Sequence, residues 1–221
     1  MLNKSKAPIW YIYGAGGLGL ETADILLESI ANGVNSEHQI VFLVDSPANE
    51  FENGIPIVGF ESCIEGSKVT IAVGEPDIRK KLAAKAIDKG LELASIISCR
   101  AYVSNSAVIG AGSIIAPFSS VQSLACIGKN VSVNTQAIIG HHVVVDDNAV
   151  ISSQVNLGGS SRVGSSSYVG MGALILEKIN IGQWSVIGMG SVVYKDVPDE
   201  VVALGNPARV ARKNEDKKVF K

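Results

Sequence analysis

Two adjacent histidines, His141 and His142, are the residues of this sequence best suited to proton transfer. An imidazole changes its charge near neutral pH, so it can take a proton from an attacking amine or hydroxyl. The third histidine of the chain, His38, lies in a predicted polar loop and needs no special role. Because small and aliphatic residues surround the histidine pair, we interpret the pair as a candidate functional site that could supply a general base. No cysteine is placed to form a covalent intermediate.

A second candidate site is the glycine loop, Gly14-Ala15-Gly16-Gly17-Leu18-Gly19, which matches the pattern G-x-G-x-x-G. It lies between a predicted strand, Ile9–Tyr13, and a predicted helix, Leu20–Ala31. Glycines let the backbone approach a phosphate, and a helix N-terminus offers unpaired N–H groups. A purely structural tight turn is the alternative interpretation. Asp45 follows a second predicted strand, Ile40–Val44, and could bind a ribose or a base, or could cap a turn.

The elements around the glycine loop predict a small parallel α/β sheet in residues 1–96. A third strand is expected at Val69–Val73, a second helix around Asp77–Lys89, and a last strand at Leu91–Ile97. A full dinucleotide fold needs two mononucleotide halves, and this segment has room for about one. The domain is therefore predicted to bind a nucleotide or a nucleotide sugar in preference to NAD.

A six-residue repeat organises the rest of the chain. Every sixth residue from Ile97 is Ile, Val or Leu, and the seventeen positions are Ile97, Val103, Ile109, Ile115, Val121, Ile127, Val133, Ile139, Val145, Ile151, Leu157, Val163, Val169, Ile175, Ile181, Ile187 and Val193. The residue four places later is mostly Ala or Ser, and the next residue is often Gly. This pattern predicts a continuous parallel coil of three short strands per turn, with the aliphatic and small residues inside and Gly or Asn at the corners. An antiparallel sandwich would show irregular turn spacing.

The repeat also places the histidines. Because Ile139 points inward, His141 lies on an outward-facing turn, where a neighbouring subunit could pack. One coil is eighteen residues, so Gly159 lies above His141 and Ser123 lies below it. We expect an open slot beside the imidazole over Gly159, where a thioester could lie.

Charge and composition restrict the possible partners. The formal net charge is −2 without a run of Lys or Arg, which argues against nucleic acid. Residues 101–128 carry no charge but are too rich in polar residues and Gly for a membrane span. The three cysteines have no paired metal spacing, and Met1–Pro8 lacks a signal-peptide pattern. We expect a cytoplasmic protein whose charged end, residues 211–221, is a solvated tail.

The hexapeptide pattern resembles the left-handed β-helix acyltransferase superfamily. The whole chain resembles the family of sugar O-acyltransferases and nucleotide-amino-sugar N-acetyltransferases, which includes sialic acid O-acetyltransferases and enzymes of the bacillosamine and perosamine pathways. The resemblance rests on Tyr13–Gly19, Phe42–Asp45, Val73-Gly74 with Arg79, Asn134-Thr135 before His141, Lys195–Pro198, and Gly205–Ala208.

The resemblance implies a left-handed coil, a homotrimer, and His141 as the general base with His142 beside it. It implies that the amino-terminal domain holds a nucleotide-sugar acceptor, for which the candidate residues are Gly14, Gly16, Gly17, Leu18, Asp45, Gly74 and Arg79. It also implies that acetyl-CoA lies in a groove between neighbouring coils. The candidate residues for acetyl-CoA are Val150, Gly159, Met171, Gly188, Asn206, Pro207 and, for its phosphates, Arg209.

Three positions depart from the family pattern. The family usually has Asp or Glu where this chain has His142, and many members have histidine where it has Leu18. A second histidine common in the acetyl-CoA groove aligns with Val150. For the missing carboxylate, two alternatives stay open: His142 could orient His141, or Asp146 and Asp147 could act from the next face.

The sequence therefore predicts an acetyl-CoA-dependent acetyltransferase that acts on the amino group of a nucleotide-linked amino sugar in surface-glycan synthesis. O-acetylation of a sugar such as a sialic acid is the first alternative, because amine and hydroxyl acceptors use the same base. A metal enzyme of the γ-carbonic anhydrase type would need three convergent histidines, so no metal is expected. A non-catalytic sugar-nucleotide-binding member is the last alternative. The predicted divisions are residues 1–96, the coil with its cap at 97–210, and the tail at 211–221.

Overall fold

The amino-terminal domain is a six-stranded sheet with one helix on each face. The computed structural model describes residues 8–35 and 37–220, so residues 1–7 of the predicted first domain and Lys221 of the predicted tail lie outside it, as does Ser36. The strands are β1 (Ile9–Tyr13), β2 (Gln39–Val44), β3 (Phe51–Glu52), β4 (Ile55–Gly59), β5 (Lys68–Ile71) and β6 (Glu92–Leu93), in the order β3-β4-β2-β1-β5-β6. All neighbouring pairs are parallel except β3 with β4.

Helices α1 (Gly17–Ala31) and α2 (Pro76–Asp88) cover opposite faces of this sheet. Along β1, Trp10 and Ile12 point into the core that contains α1, whereas Tyr11 and Tyr13 point into the core that contains α2. Because both faces are covered, the central strands are apolar without alternation. The predicted parallel α/β sheet is confirmed.

The domain also contains elements that the sequence interpretation did not include. Strands β3 and β4 form a hairpin closed by Asn53 and Gly54, both with positive φ, and a short 3₁₀ helix follows at Phe60–Ser62. Asn-Gly is a strong hairpin signal, so this turn was readable from the sequence. Helix α1 begins at Gly17, inside the glycine loop and before the predicted start at Leu20.

The second domain is the predicted coil, built from seventeen two-residue strands. They are β7 (Ile96–Ile97), β8 (Tyr102–Val103), β9 (Val108–Ile109), β10 (Ile114–Ile115), β11 (Ser120–Val121), β12 (Cys126–Ile127), β13 (Ser132–Val133), β14 (Ile138–Ile139), β15 (Val144–Val145), β16 (Val150–Ile151), β17 (Asn156–Leu157), β18 (Arg162–Val163), β19 (Tyr168–Val169), β20 (Leu174–Ile175), β21 (Asn180–Ile181), β22 (Val186–Ile187) and β23 (Val192–Val193). Each pairs in parallel with the strand eighteen residues away. The predicted last strand of the first domain, Leu91–Ile97, is thus divided between β6 and the first strand of the coil.

The coil has three flat faces. Face A consists of β7, β10, β13, β16, β19 and β22; face B of β8, β11, β14, β17, β20 and β23; face C of β9, β12, β15, β18 and β21. Every predicted inward position from Ile115 to Val193 is buried. Ile97 is 42% exposed because no coil lies beneath it.

The corners correct one detail of the repeat. The left-handed backbone occurs three residues after each aliphatic from Ile109 to Ile187, at Phe118, Leu124 and His142 among others, and not at the glycine directly after the aliphatic. Those glycines are needed because adjacent coils approach closely there. A β-carbon on Gly164, for example, would lie 2.5 Å from the backbone nitrogen of Gln183.

The carboxyl end does not form the predicted solvated tail. Strand β24 (Val201–Gly205) extends face A, and β25 (Ala208–Lys213) pairs antiparallel with it, beyond the predicted boundary at residue 210. Residues 214–220, the C-terminal strap, then return to the amino-terminal domain. The buried Glu75 carboxylate accepts hydrogen bonds from the backbone N–H groups of Val219 and Phe220 at 3.1 Å, and these bonds hold the strap in place.

Contacts with face A fix the amino-terminal domain on the coil. Ile96, Ile114 and Ala116 of the coil share a core with Trp10 and Ile12 of β1. Helix α1 lies on the same side, where Glu28 pairs with Arg100. Neither helix of the described residues has the length and apolar character needed to cross a membrane.

Candidate active site

His141 lies at the histidine corner, residues 140–143, which joins face B to face C directly after β14. Its imidazole lies over the α-carbon of Gly159, and a β-carbon on Gly159 would be 2.5 Å from both Nε2 and Cε1. The glycine predicted above His141 is therefore confirmed as the neighbour of the ring. The imidazole fills the space directly over Gly159, and open space lies beside it in a groove that Gly159 lines.

His142 is the hydrogen-bonding partner of His141. The two Nδ1 atoms are 3.1 Å apart and the ring planes are nearly perpendicular, at 88°. Asp146 instead forms a bidentate pair with Arg162, and Asp147 accepts the backbone N–H of Lys129. Neither Asp146 nor Asp147 is hydrogen-bonded to His141 in this structure, so the contact of His141 is with His142, as in the first of the two alternatives.

A groove of about 330 Å³, the first groove, runs along face B beside Gly159. It is lined by Asn156, Gly158, Gly159, Leu174, Ile175, Leu176, Glu177, Val192, Val193 and Tyr194. Leu174, Leu176 and Tyr194 are each about half exposed. Large apolar side chains on an outward surface mark a binding surface more often than a solvated one.

The second groove, of about 250 Å³, shares Val193 with the first and includes Lys195 and Arg209. The first groove is mainly apolar with one carboxylate, Glu177, and the second carries Lys195 and Arg209 together with the carboxylate of Asp196. Leu174, Leu176 and Tyr194 were not singled out from the sequence, and Lys195 was named only as part of the motif Lys195–Pro198. Leu174 occupies an outward position immediately before an aliphatic of the repeat, and an exposed leucine there was the available signal.

Of the predicted acetyl-CoA residues, Val150 is wrong in this structure, whereas the contact of Gly188 with a cofactor stays a prediction. Val150 is 1% exposed on face A, on the side that carries the amino-terminal domain and away from face B. Gly188 packs closely against Leu204, because a β-carbon added to Gly188 would lie 2.7 Å from the β-carbon of Leu204. Met171, Asn206 and Pro207 are exposed and outside both grooves, so their contacts with a cofactor stay predictions.

The glycine loop divides into structural and open positions. Gly14 has φ +119°, and a β-carbon there would be 2.7 Å from the carbonyl oxygen of Ala72; Gly19 lies against the carbonyl of Gly14. Gly14 therefore has a role in the turn, and its contact with a ligand stays a prediction. Around Gly16 and Gly17, a β-carbon would meet nothing within 4 Å, and Gly16 caps α1 without a side-chain hydrogen bond. First-turn N–H groups beside open space suit an anion.

Two further loop-side predictions are modified. Leu18 packs against the core beneath α1, so its side chain is turned from a ligand at the loop. Gly74 lies under the ring of Phe220 of the C-terminal strap, with 3.8 Å between its β-carbon position and that ring. A substrate that contacts Gly74 would therefore also lie next to the ring of Phe220.

Asp45 joins the ends of two strands to α2. Its Oδ1 accepts hydrogen bonds from the Lys85 ammonium group and from the Tyr13 hydroxyl, the latter at 2.7 Å. The hydrogen bond from Lys85, followed by that from Tyr13, lowers the pKa of Asp45 below its ordinary value, whereas burial raises the pKa of Tyr13. One carboxylate oxygen is thus engaged within the protein, and Oδ2 stays available for the predicted ribose or base contact.

Arg79 is not a ligand-binding residue, contrary to the sequence prediction. Its side chain is fully buried, and its guanidinium donates to the carbonyl oxygens of Ile71 and Val73 and to the carbonyl and side-chain oxygens of Asn130. Burial lowers its pKa to about 9. Because Asn130 belongs to the coil, Arg79 links the two domains and has no donor left for a substrate.

The glycine loop and His141 lie on different sides of one chain. The amino-terminal domain covers face A, whereas the histidine corner joins faces B and C and is therefore opposite face A. A single chain does not bring the two predicted half-sites together. No group of three or more His, Cys, Asp or Glu side chains suited to a metal ion occurs in residues 8–35 and 37–220.

Comparisons with known proteins match both domains. A family model described as the PglD N-terminal domain matches residues 10–86. The GDP-perosamine N-acetyltransferase of Escherichia coli O157:H7 is 27% identical over 215 residues, which are 93% of this chain and 97% of that protein.

Solved structures extend the likeness over the whole fold. The acetyltransferase domain of PglB from Neisseria gonorrhoeae is 31% identical with a TM-score of 0.85, over 92% of this chain and 99% of that one. A mutant of perosamine N-acetyltransferase from Caulobacter crescentus, in complex with CoA and GDP-perosamine, is 27% identical with a TM-score of 0.80, over 91% and 95% of the two chains. The predicted α/β sheet followed by a left-handed β-helix is thereby confirmed.

Proposed function

The chain belongs to the family of hexapeptide-repeat sugar acetyltransferases with a PglD N-terminal domain, and we propose that it transfers the acetyl group of acetyl-CoA to the amino group of a nucleotide-linked amino sugar. The observation that carries this proposal is the position of the His141 imidazole over Gly159, a residue that lines the first groove. The relatives solved with CoA and GDP-perosamine support both substrate classes.

The two grooves suit acetyl-CoA. Leu174, Leu176 and Tyr194 offer apolar surface for the pantetheine arm, with its thioester end toward His141. Lys195 and Arg209 lie at the far end, where the phosphates of coenzyme A need cations. The acceptor is assigned to the amino-terminal domain, with its diphosphate against the open N–H groups after Gly16 and Gly17.

The reaction needs one base and no covalent enzyme intermediate. The acceptor amine attacks the thioester carbonyl, a C–N bond forms, and the C–S bond breaks. His141 Nε2 takes the proton that the amine loses, and the departing sulfur regains a proton as the thiol. The acetylated nucleotide sugar is the kind of activated donor that glycosyltransferases of surface-glycan synthesis consume.

A neighbouring subunit completes this site in our proposal. Because the amino-terminal domain covers face A and the histidine corner is opposite, the glycine loop of one subunit must meet His141 of the next, as a closed trimer allows. We therefore expect a particle of three times 23.1 kDa in light scattering. A monomer with full activity would contradict this arrangement.

The direct test is a screen of nucleotide-linked amino sugars with acetyl-CoA, following free thiol release and the mass of the product. We expect one nucleotide amino sugar to be N-acetylated, and His141→Ala to lower turnover by at least on the order of 10²-fold. Gln154→Ala, at another corner of the same repeat, is the matched control. If only the hydroxyls of sialic acid are acetylated, the proposed N-acetylation is replaced by O-acetylation. If a nucleotide sugar binds without turnover, the protein is a non-catalytic sugar-nucleotide-binding member of the family.

A further inference from the structure

We propose that His142 is a positioning residue that selects the tautomer of His141 and shares the single proton the pair takes up during turnover. The inference rests on the proposed function and deepens it. It starts from one contact, the 3.1 Å separation of the two Nδ1 atoms. It assigns to an imidazole the task for which the family pattern uses a carboxylate.

Geometry fixes which nitrogen of each ring does what. The Nε2 edge of His141 lies against Gly159, which lines the first groove, so Nε2 is the atom that faces a substrate. To accept a proton there, Nε2 must carry the lone pair, and Nδ1 must carry the hydrogen. That hydrogen points at His142 Nδ1, which must then be unprotonated. His142 is therefore protonated on Nε2, and the required tautomer of each ring follows from the other.

The backbone holds His142 in the necessary place. Its φ of +58° is the left-handed conformation shared by the corners after Ile109 to Ile187, and its N–H donates to the carbonyl of Ser123 on the coil below. The direction of its side chain is therefore set by the corner. On the coil above, Gly159 contributes no side chain and the carbonyl of His141 accepts the N–H of Ser160.

A neutral partner has a chemical consequence that a carboxylate lacks. Only one hydrogen fits between the two Nδ1 atoms, so the pair holds one added proton at a time. When His141 Nε2 takes the proton of the amine, the positive charge spreads onto His142 through the N–H···N bond. The proton then leaves for the departing sulfur, and the pair returns to its starting tautomers. An aspartate or glutamate in the place of His142 would stabilise the same cation more strongly.

The charged groups around the pair are few. The corner residues on the coil below are Ser123 and Leu124, and those on the coil above are Gly159 and Ser160. Glu177 and Lys178 follow two coils above, with Glu177 lining the first groove. On face C, Asp146 is paired with Arg162. The partner of His141 on its own coil is thus His142, and Glu177 is the titratable group whose effect must be controlled.

The first test needs no turnover. Long-range proton–nitrogen NMR of the full-length protein labelled with ¹⁵N-histidine reports which ring nitrogen carries hydrogen, and His38→Gln and His142→Asn provide the assignments. We expect hydrogen on Nδ1 of His141 and on Nε2 of His142 at a pH where both rings are neutral. Hydrogen on Nε2 of His141 would overturn the proposal.

The second test is the acid limb of kcat/KM against pH, below which the base is protonated and activity is lost. His142→Glu should move this limb upward by about one pH unit, the lower end of the usual effect of an opposite charge, because the pair is exposed. In His142→Asn, the asparagine can adopt the left-handed backbone and accept the Nδ1 hydrogen of His141, but it cannot share the positive charge. The acid limb of this variant should therefore move to lower pH. Gln136→Ala is the corner control, and Glu177→Gln measures the remaining carboxylate.

These outcomes separate the two proposals. If His141→Ala keeps full activity, the base assignment and the proposed function fail together. His141→Ala could instead be inactive while the acid limbs of the pH profiles of His142→Glu, His142→Asn and the unaltered enzyme coincide. In that case only the role of His142 is refuted. A limb that moves with Glu177→Gln and not with His142→Glu would transfer the role to Glu177.

Discussion

The imidazole of His141 occupies the space above the α-carbon of Gly159, eighteen residues along the chain and one coil away. A base on a helical coil can be oriented by the coil above it when that coil has no side chain at the same position. The parallel register makes this relation rigid, because β14 and β17 on face B pair without a shift. The placement of the base is thus a property of two coils.

Gly159→Ala should displace the imidazole, because its new β-carbon would lie 2.5 Å from Nε2. A base moved by about 1 Å loses on the order of 10²-fold in turnover. Thermal unfolding should change much less than kcat, since the contact is with an exposed ring. Ser160→Ala, at the next residue, is the control and should keep near-normal kcat. An unchanged kcat in Gly159→Ala would show that the position of the ring is unimportant.

Gly16→Val should raise KM for the nucleotide sugar and leave KM for acetyl-CoA nearly unchanged. The free chain has open space at this position, so the new side chain should meet only the ligand. Gly14→Ala is the contrast, because its β-carbon would meet the carbonyl of Ala72 and lower stability instead. Loss of acetyl-CoA binding with retained sugar affinity would mean that the ligands are assigned to the wrong domains.

Mixed trimers test whether the site is shared between subunits. Neither His141→Ala nor Gly16→Val alone should be active at low substrate concentration. In an equal mixture of the two chains, about a quarter of the sites would combine an intact base with an intact loop from the neighbour. Recovery of activity in co-expressed trimers is therefore expected. No recovery in trimers verified by mass spectrometry would assign base and loop to the same subunit.

Arg209→Ala should raise KM for acetyl-CoA by about tenfold, as expected for the loss of one charge-assisted contact to a phosphate. Arg209 lines the second groove, whereas Arg212 on the same strand, β25, does not. Arg212→Ala is therefore the matched control, and kinetics at two salt concentrations should show a weaker salt dependence for Arg209→Ala only. Equal effects of both substitutions would indicate a general charge effect.

Arg79→Met should destabilise the protein by about 1–3 kcal/mol for each buried acceptor left unpaired, because the carbonyls of Ile71, Val73 and Asn130 lose their donor. Urea unfolding measures this loss directly. The residual folded enzyme should keep its KM for the nucleotide sugar, since Arg79 has no free donor for it. A stable variant with a raised KM would restore the substrate role predicted from the sequence.

Glu75→Ala should release the C-terminal strap, because the N–H groups of Val219 and Phe220 lose their acceptor. We expect trypsin to cleave after Lys217 or Lys218 about tenfold faster, as local opening becomes easier. Glu65→Ala changes the same residue type at a site away from the strap and serves as the control. Equal cleavage rates would mean that the remaining strap contacts, such as Lys217 over Trp184, are sufficient.

The repeat determined the coil by itself. The narrow interior of the coil accepts an aliphatic side chain at each sixth position, and seventeen consecutive positions match. These matches specified the register of the coil, and with it the inward direction of Ile139 and the outward direction of His141. The same arithmetic put Gly159 beside the imidazole. In the first domain, strand and helix patterns specified β1, α1 and the location of the glycine loop, because those signals are local.

Only the tertiary structure decided what covers each outward position. Val150 and Leu174 occupy equivalent positions in the repeat. Val150 is nevertheless buried on face A, on the side of the amino-terminal domain, whereas Leu174 is exposed in the first groove on face B. From the sequence, Arg79 is predicted to be a cation available to a ligand. In the structure its guanidinium donates to the carbonyl of Asn130, fifty-one residues away. The strap likewise depends on Glu75, more than a hundred residues before it. Local periodicity fixes the direction of a side chain relative to its own strand. Burial and partners come from segments distant in sequence, and these are established only when the chain packs.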